Sequence, residues 1–246
     1  MRYHKAQLRH ELKYFISQGE YAALRGRLQP FLALDKHTVD PLGYHIRSLY
    51  FDDMYDTAMA EKLSGQQRRN KYRVRIYGLS DAMITMERKS KFDAYISKTA
   101  ARLTRAQFEA MLAGDYAPLL RTGDPLLIEV FARRRAVLLR PAVVVDYLRE
   151  AYVYAPGNVR LTFDKNIRAG FGGYDIFSAD MPTSPVLESG QMVMEVKYDD
   201  FLPALVRDLL RPVTGELCAA SKYVLCRERL ADHKTVSRRV VRTIDG

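Results

Sequence analysis

The chain has 246 residues, 48% of them hydrophobic, which is enough for one large domain with its own core. Lysine and arginine number 39 against 29 aspartate and glutamate, and the net charge of +10 favours an anionic partner such as nucleic acid, a membrane surface or a phosphorylated molecule. The N-terminus lacks the apolar stretch of a signal peptide, and no apolar run approaches the ~20 residues of a membrane span. Cys218 and Cys226 match no metal motif, which indicates a reducing compartment. Taken together, these features predict a single-domain, soluble, cytoplasmic protein over residues 1–246.

The predicted elements alternate between strands and a few helices. Helices are predicted after Ser17-x-x-Glu20 and Thr104-x-x-Gln107, which have capping-box spacing, and from Pro125 and Pro203. Short connections between strands favour an antiparallel sheet. The segment 169–185, rich in glycine, proline and serine, is predicted to be a mobile surface loop. In chain order, strands are predicted at 8–15, 43–51, 71–78, 82–89, 94–99, 142–154, 159–165 and 191–198.

Charged and apolar residues alternate within five of these strands. In KYRVRIYG, residues 71–78, Arg73 and Arg75 face away from Val74 and Ile76, because successive side chains of a strand point to opposite faces. A charged face on any one strand is usually just the solvent side of a sheet. Five such strands with only four helices to cover the apolar faces favour another arrangement. We therefore expect an α+β fold, an antiparallel β-barrel that forms a tunnel with a basic lumen and is flanked by helices.

A lumen lined by many cations should bind a polyanion, because the like charges repel one another without counter-charge. Arginine suits phosphate oxygens, and carboxylates suit a hard divalent ion that also contacts phosphate. The candidate acids are Glu11, Glu87 and Glu195. The candidate cations are Arg9, Lys13, Arg47, Arg73, Arg75, Lys89, Lys98, Arg149, Arg160, Lys197 and Lys222.

Several short motifs follow one another in a specific order along the chain. They are HELKY near the N-terminus, RSLYFDD (47–53), KYRVRIYG (71–78), MERKSK (86–91), YLREAYVY (147–154), VRLTFDKNI (159–167), LESGQMVMEVKYD (187–199) and SKYVL (221–225). From about residue 8 to 226 this order resembles the VTC domain, the polyphosphate polymerase module of the vacuolar transporter chaperone complex and its bacterial relatives. That family is a branch of the CYTH-like triphosphate tunnel metalloenzymes.

The resemblance implies transfer of the ATP γ-phosphate to a growing inorganic polyphosphate chain with Mn²⁺ or Mg²⁺. It implies that Glu195 is a metal ligand, whereas Glu11 is either a second metal ligand or a partner that orients Lys13. Glu87 is interpreted as a salt-bridge partner of Lys89 and Arg88. The resemblance implies that the catalytic cations are Lys13, Arg73, Arg75, Arg149 and Lys197. The substrate-binding residues that it implies are Arg47, Lys89, Lys98, Arg160, Ser221 and Lys222.

One departure from the wider superfamily favours the polymerase. Tunnel enzymes that hydrolyse triphosphates or cyclise ATP typically begin with ExExK, whereas Arg9 replaces the first acid here. Two alternatives remain, an inorganic or nucleoside triphosphatase of the same fold and a non-catalytic polyphosphate sensor. The chain has no RNP or KH signature, so no specific nucleic acid is expected, and the oligomeric state stays open. No metal-ligand spacing links the histidines His4, His10, His37, His45 and His233.

Overall fold

A computed structural model defines the fold, and the structure describes residues 10–36, 38, 42–92, 95–215 and 217–232. The strands in this part of the chain are β1 (His10–Ile16), β2 (Ala33–Leu34), β3 (Tyr44–Asp52), β4 (Arg68–Tyr77), β5 (Ser80–Phe92), β6 (Tyr95–Leu103), β7 (Arg140–Tyr154), β8 (Val159–Gly170), β9 (Thr183–Pro185) and β10 (Met192–Tyr198). The α-helices in the same ranges are α1 (Gln18–Leu28), α2 (Thr57–Leu63), α3 (Arg105–Leu112), α4 (Pro125–Val137), α5 (Ala204–Leu209) and α6 (222–232).

All of these strands belong to one antiparallel sheet. Its order is β1-β10-β8-β7-β3-β4-β5-β6, and the short strands β2 and β9 pair with β7 and β8. Strands β1 and β6 end this order, and no backbone pairing joins them in the described residues. The predicted antiparallel α+β fold is confirmed. The expected closed barrel is not, because the sheet remains open along this edge.

The open sheet is nevertheless strongly curled. Glu11 on β1 and Lys89 on β5 lie six strand intervals apart in the sheet order, which is about 29 Å in a flat sheet. Their side chains meet, with Lys89 Nζ 3.1 Å from Glu11 Oε2. The sheet therefore has a concave side, which we call the inner face, and a convex side, which we call the outer face.

Helices cover the outer face in two places. Val74, Ile76 and Met86 of β4 and β5 pack with Phe108 of α3 and Val130 of α4 in one apolar cluster. The second cluster joins the other half of the sheet to α1 and α5, through residues that include Leu24, Leu161, Phe163, Val196 and Val206. The apolar positions predicted by alternation on these strands thus face the helices.

The inner face is partly filled by a third apolar cluster that the alternation pattern did not predict. It combines Ile46 of β3 and Val145 of β7 with Ala58 of α2 and with Tyr223 and Cys226 of α6. Neither helix was among the four predicted. The cluster closes off part of the concave side and leaves the charged residues on the remainder.

Local signals located the other helices correctly. Ser17 and Thr104 each accept a hydrogen bond from the backbone N–H three residues later, and both capping boxes are complete. Asp124 caps α4, whose first residue is Pro125, and α5 begins after Pro203. Among the described residues, none of the helices has the length and apolar composition of a membrane span.

In the segment 169–185, residues 171–182 form the predicted irregular loop, but the two ends of the segment belong to strands. Strand β8 continues to Gly170, and β9 pairs with it. Ile176 is fully buried in the first outer cluster, and Arg47 Nη1 donates hydrogen bonds to the backbone oxygens of Ile176 and Ser178 at 3.3 and 2.6 Å. Buried contacts and hydrogen bonds therefore anchor the segment to the outer face.

Candidate functional site

The strand register sets which charged residues share the inner face. In an antiparallel pair, directly opposite residues project to the same side of the sheet. Lys13 lies opposite Glu195, and Glu11 lies opposite Lys197. The predicted site residues that the structure brings together around the inner face are Glu11, Lys13, Arg73, Arg75, Lys89, Lys98, Arg149, Arg160, Glu195, Lys197, Ser221 and Lys222.

Glu11 is surrounded by three lysines. Its carboxylate lies 2.8 Å from Lys13 Nζ, 3.1 Å from Lys89 Nζ and 3.9 Å from Lys197 Nζ. Burial and repulsion from Glu195 raise the pKa of Glu11, but the three ammonium groups lower it by a larger amount. The pKa of Glu11 therefore lies below its usual value. Glu11 is therefore ionised at neutral pH.

Glu195 occupies the neighbouring position on β10. Lys197 Nζ lies 3.0 Å from one carboxylate oxygen, and Arg149 Nη2 lies 3.8 Å from the other. Burial would raise the pKa of Glu195, but Lys197, Lys13 and other nearby cations hold it well below its usual value. Glu11 and Glu195 are diagonal neighbours on adjacent strands, so two ionised carboxylates share this part of the site.

Glu87 forms a second charged cluster, with partners other than those expected. Its carboxylate binds Arg73 Nη2 at 2.6 Å and Lys98 Nζ at 3.1 Å, and Arg75 Nη1 lies 3.8 Å away. Burial raises the pKa of Glu87, but these cations lower it to about 2. The interpretation of Glu87 as the partner of Lys89 and Arg88 was wrong. Lys89 binds Glu11, and Arg88 lies on the outer face, where it pairs with Glu129.

Asp164 on β8 is a third anchoring carboxylate, and it was not among the candidate acids. Arg149 Nε and Nη2 donate to its two oxygens at 2.6 and 2.8 Å, and Lys222 of α6 forms an ion pair with it. Burial raises the pKa of Asp164, whereas Arg149 and Lys222 lower it to about 2. The signal was present in the sequence, because Asp164 shares strand parity with Arg160.

Three further cations each pair with at most one of the described carboxylates. Arg75 is 7% exposed, and its hydrogen bonds to Ser48 Oγ and Tyr147 Oη are both 3.4 Å long. Lys71 Nζ donates to Ser221 Oγ at 3.0 Å, and no ion pair between Lys71 and a described carboxylate is present. Arg160 lies opposite Lys197 and pairs with Asp35 at 2.6 Å.

Arg47 is the predicted site residue that lies elsewhere. On β3 it is opposite Ile76 of the outer cluster, whereas Ser48 is opposite Arg75. Its guanidinium binds Asp146 Oδ2 at 2.6 Å as well as the 169–185 segment. Its expected place in the basic lumen is therefore wrong. Arg9 and the histidines His4, His37 and His233 lie outside the described residues.

Positive charge exceeds negative charge on the inner face. The cations there are Lys13, Lys71, Arg73, Arg75, Lys89, Lys98, Arg149, Arg160, Lys197 and Lys222, and the carboxylates that contact them are Glu11, Asp35, Glu87, Asp164 and Glu195. The carboxylates hold these cations in place, but they are too few to neutralise all of the positive charge. Such a surface attracts anions, and the guanidinium groups of its arginines can each donate two parallel hydrogen bonds to phosphate oxygens. In the part of the chain that the structure describes, no three His, Cys, Asp or Glu side chains are grouped to hold a metal ion.

The chain is similar to several solved structures at low sequence identity. Among solved structures, the chain is similar to HpAC1 from Hippeastrum, a protein proposed as an adenylyl cyclase and described as having a dominant triphosphatase activity. The two share 15% identity over 90% of this chain and 95% of that chain, with a TM-score of 0.51. A Bacillus halodurans protein, also proposed as an adenylate cyclase, shares 14% identity over 87% of this chain and 94% of its own, with a TM-score of 0.48. The PH1819 protein from Pyrococcus horikoshii OT3 shares 12% identity over 90% and 99% of the two chains, with a TM-score of 0.47. No match was found among curated proteins.

At 15% identity, the likeness to HpAC1 shows the fold alone, an antiparallel sheet flanked by helices. The family model of the VTC domain matches residues 8–231. The chain therefore belongs to the VTC domain family, as its motif order indicated. Membership supports a function related to polyphosphate or triphosphates and, in general, binding of such ligands.

Proposed function

We propose that this protein is a metal-dependent polyphosphate polymerase that transfers the γ-phosphate of ATP to the end of an inorganic polyphosphate chain. The observation that carries the proposal is the excess of fixed cations over carboxylates on the inner face. Membership of the VTC domain family supports the substrate class. Triphosphatase activity, as described for HpAC1, is the alternative on the same fold.

The inner-face cations would bind and orient the phosphates. Glu87 positions the guanidinium of Arg73 and Asp164 positions that of Arg149, so little conformational entropy is lost when phosphate oxygens bind. The guanidinium of Arg75 lies beside them, 3.8 Å from Glu87. Lys13, Lys89, Lys98, Arg160, Lys197, Ser221 and Lys222 line the same face and would hold the rest of the chain.

The donor set fits one divalent ion shared with substrate. Mg²⁺ is commonly held by one or two carboxylates together with substrate phosphates, and Glu11 and Glu195 provide two ionised carboxylates. Triphosphatases of the tunnel fold generally depend on such an ion. A bound Mn²⁺ or Mg²⁺ would neutralise charge on phosphate oxygens.

The reaction needs no dedicated nucleophile from the protein. The bond between the γ-phosphorus and the bridging β,γ-oxygen breaks, ADP leaves, and an oxygen of the terminal polyphosphate unit forms the new bond to phosphorus. That acceptor oxygen is already anionic, so no strong general base is required. Positioning and charge neutralisation lower the barrier of such transfers. The arginines and lysines of the inner face provide both.

The direct test follows long-chain polyphosphate on a gel after incubation of the purified protein with ATP and Mn²⁺. We expect chains from the wild type. We expect a loss of about 100-fold in rate for Arg75→Ala, which removes a fixed cation from the transferred phosphate. Glu195→Gln should lose a similar factor, because it removes a metal-binding charge. Two control variants make the same charge changes on exposed helices, Arg207→Ala and Glu109→Gln, and should retain wild-type rates.

The three candidate functions give different products in this assay. Release of free phosphate without chains would establish the triphosphatase. Binding of ATP or polyphosphate without turnover would establish the sensor. Either result would contradict the proposed polymerase activity.

A further inference from the structure

Thr162 is a buried threonine whose hydroxyl has no hydrogen-bond partner among the described residues. The residue is 3% exposed, and Oγ1 is fully enclosed. A buried hydroxyl without a partner is unfavourable, because it loses its bonds to water and gains none. Valine has nearly the same shape and suits a strand equally well. We therefore infer that a bound ligand provides the hydrogen-bond partner of this hydroxyl.

The register places Thr162 in the floor of the inner face. It lies directly opposite Glu195 on β10 and Ala151 on β7. Along β8 it shares its face with Arg160 and Asp164, each two residues away. Ala151 ends in a methyl group, so no long side chain extends over Thr162 from that strand.

The neighbouring acceptors are already bound to cations. Both oxygens of Asp164 accept hydrogen bonds from Arg149, and Glu195 pairs with Lys197. A threonine hydroxyl offers one donor, which can rotate toward an incoming acceptor. The excess positive charge of the face selects an anion, and a phosphate oxygen beside Arg149 would supply that acceptor.

We propose that Thr162 is a substrate-binding residue whose hydroxyl donates a hydrogen bond to a phosphate oxygen held next to Arg149. This role rests on the proposed substrate class, a triphosphate or polyphosphate, and not on which reaction follows. It adds an uncharged contact to a set of ligands that otherwise consists of lysines, arginines and a serine.

The test measures the affinity of the wild type, Thr162→Val and Thr162→Ser for tripolyphosphate by calorimetry, in EDTA and in Mn²⁺. A hydrogen bond to a charged oxygen predicts a loss of about tenfold or more for Thr162→Val in both conditions. Thr162→Ser should stay within about threefold, because it keeps the donor. Thr99→Val, which removes a threonine hydroxyl that accepts from Arg88, is the matched control and should bind like the wild type.

Thermal unfolding without ligand separates binding from folding. Removal of an unsatisfied hydroxyl should leave the melting temperature of Thr162→Val equal to or above that of the wild type. Wild-type affinity in Thr162→Val would overturn the role of Thr162 alone. A loss confined to Mn²⁺ would also overturn it, because the hydroxyl would then serve the metal and not the phosphate. Failure of the wild type to bind tripolyphosphate would overturn the proposed substrate class as well.

Discussion

Lys71 lies among other cations, unlike the lysines that pair with Glu11 and Asp164. Burial, together with Arg69, Lys62 and the nearby Lys13 and Lys89, lowers the pKa of Lys71 to about 7 from the usual value of 10.5. Ser221, the residue before α6, and Tyr223 of α6 contact its amine, and neither side chain is a carboxylate. Lys71 is therefore mostly neutral at pH 8 in the ligand-free protein.

A bound anion beside Lys71 should raise its pKa, so binding at pH 8 should take up a proton. Below pH 6 the lysine is already charged and this uptake should vanish. Calorimetry of tripolyphosphate binding in buffers with different ionisation enthalpies measures the uptake. The control is Lys71→Arg, which stays charged and should take up about one proton fewer at pH 8 while keeping its affinity. Equal proton uptake by the wild type and Lys71→Arg would contradict the assignment of this uptake to Lys71.

Alternation located most charged site residues but failed at particular positions. It placed Arg73 and Arg75 correctly because β4 has apolar residues between them. It failed at Arg47 because β3 is buried on both faces, so polarity no longer reports the side of the sheet. The unpaired hydroxyl of Thr162 depends on three strands meeting around it, and nothing local in the sequence encodes that.

At the scale of elements, Arg47 fastens the 169–185 segment to the outer face of β3. Arg47→Met would remove three hydrogen bonds and leave Asp146, which is 8% exposed, with His45 as its remaining side-chain partner in the described structure. We expect a loss of about 3 kcal/mol in the free energy of unfolding, measured in urea. The affinity for tripolyphosphate should stay within about twofold, because Arg47 does not line the inner face.

Arg75→Met is the matched control for Arg47→Met, and the opposite pattern is expected. Its contacts are long, so stability should change little, whereas affinity should fall by tenfold or more. A folded Arg47→Met protein that loses affinity as strongly as Arg75→Met would contradict the assignment of the two faces.

The helices that the sequence revealed are those with local capping signals. α1, α3 and α4 each begin with a side-chain cap, whereas the side chain of Asp56, which precedes α2, makes no cap bond. The helical spacing of Tyr223, Cys226 and Leu230 in α6 was available in the sequence, but no capping box marks the start of this helix there. Both missed helices pack on the inner face, so tertiary contacts stabilise them more than local signals do.

At the scale of the whole molecule, the account depends on how far the sheet curls. Strand count and alternation predicted an enclosed basic surface. They could not show whether backbone pairing closes it, because closure depends on the stagger and tilt of all strands together. The contact between Glu11 and Lys89 across the sheet creates one site from cations on β1, β4, β5, β8 and β10. Those cations would be spread over a wide surface in a flat sheet.

The most direct test of the central claim is a crystal structure of the protein with bound tripolyphosphate. We predict phosphate oxygens within about 3 Å of Arg75, Arg149 and Lys222 on the inner face. Tripolyphosphate bound on the outer face, or an inner face that stays free of it at saturating concentration, would contradict the claim that these cations form a binding site for a chain of phosphates.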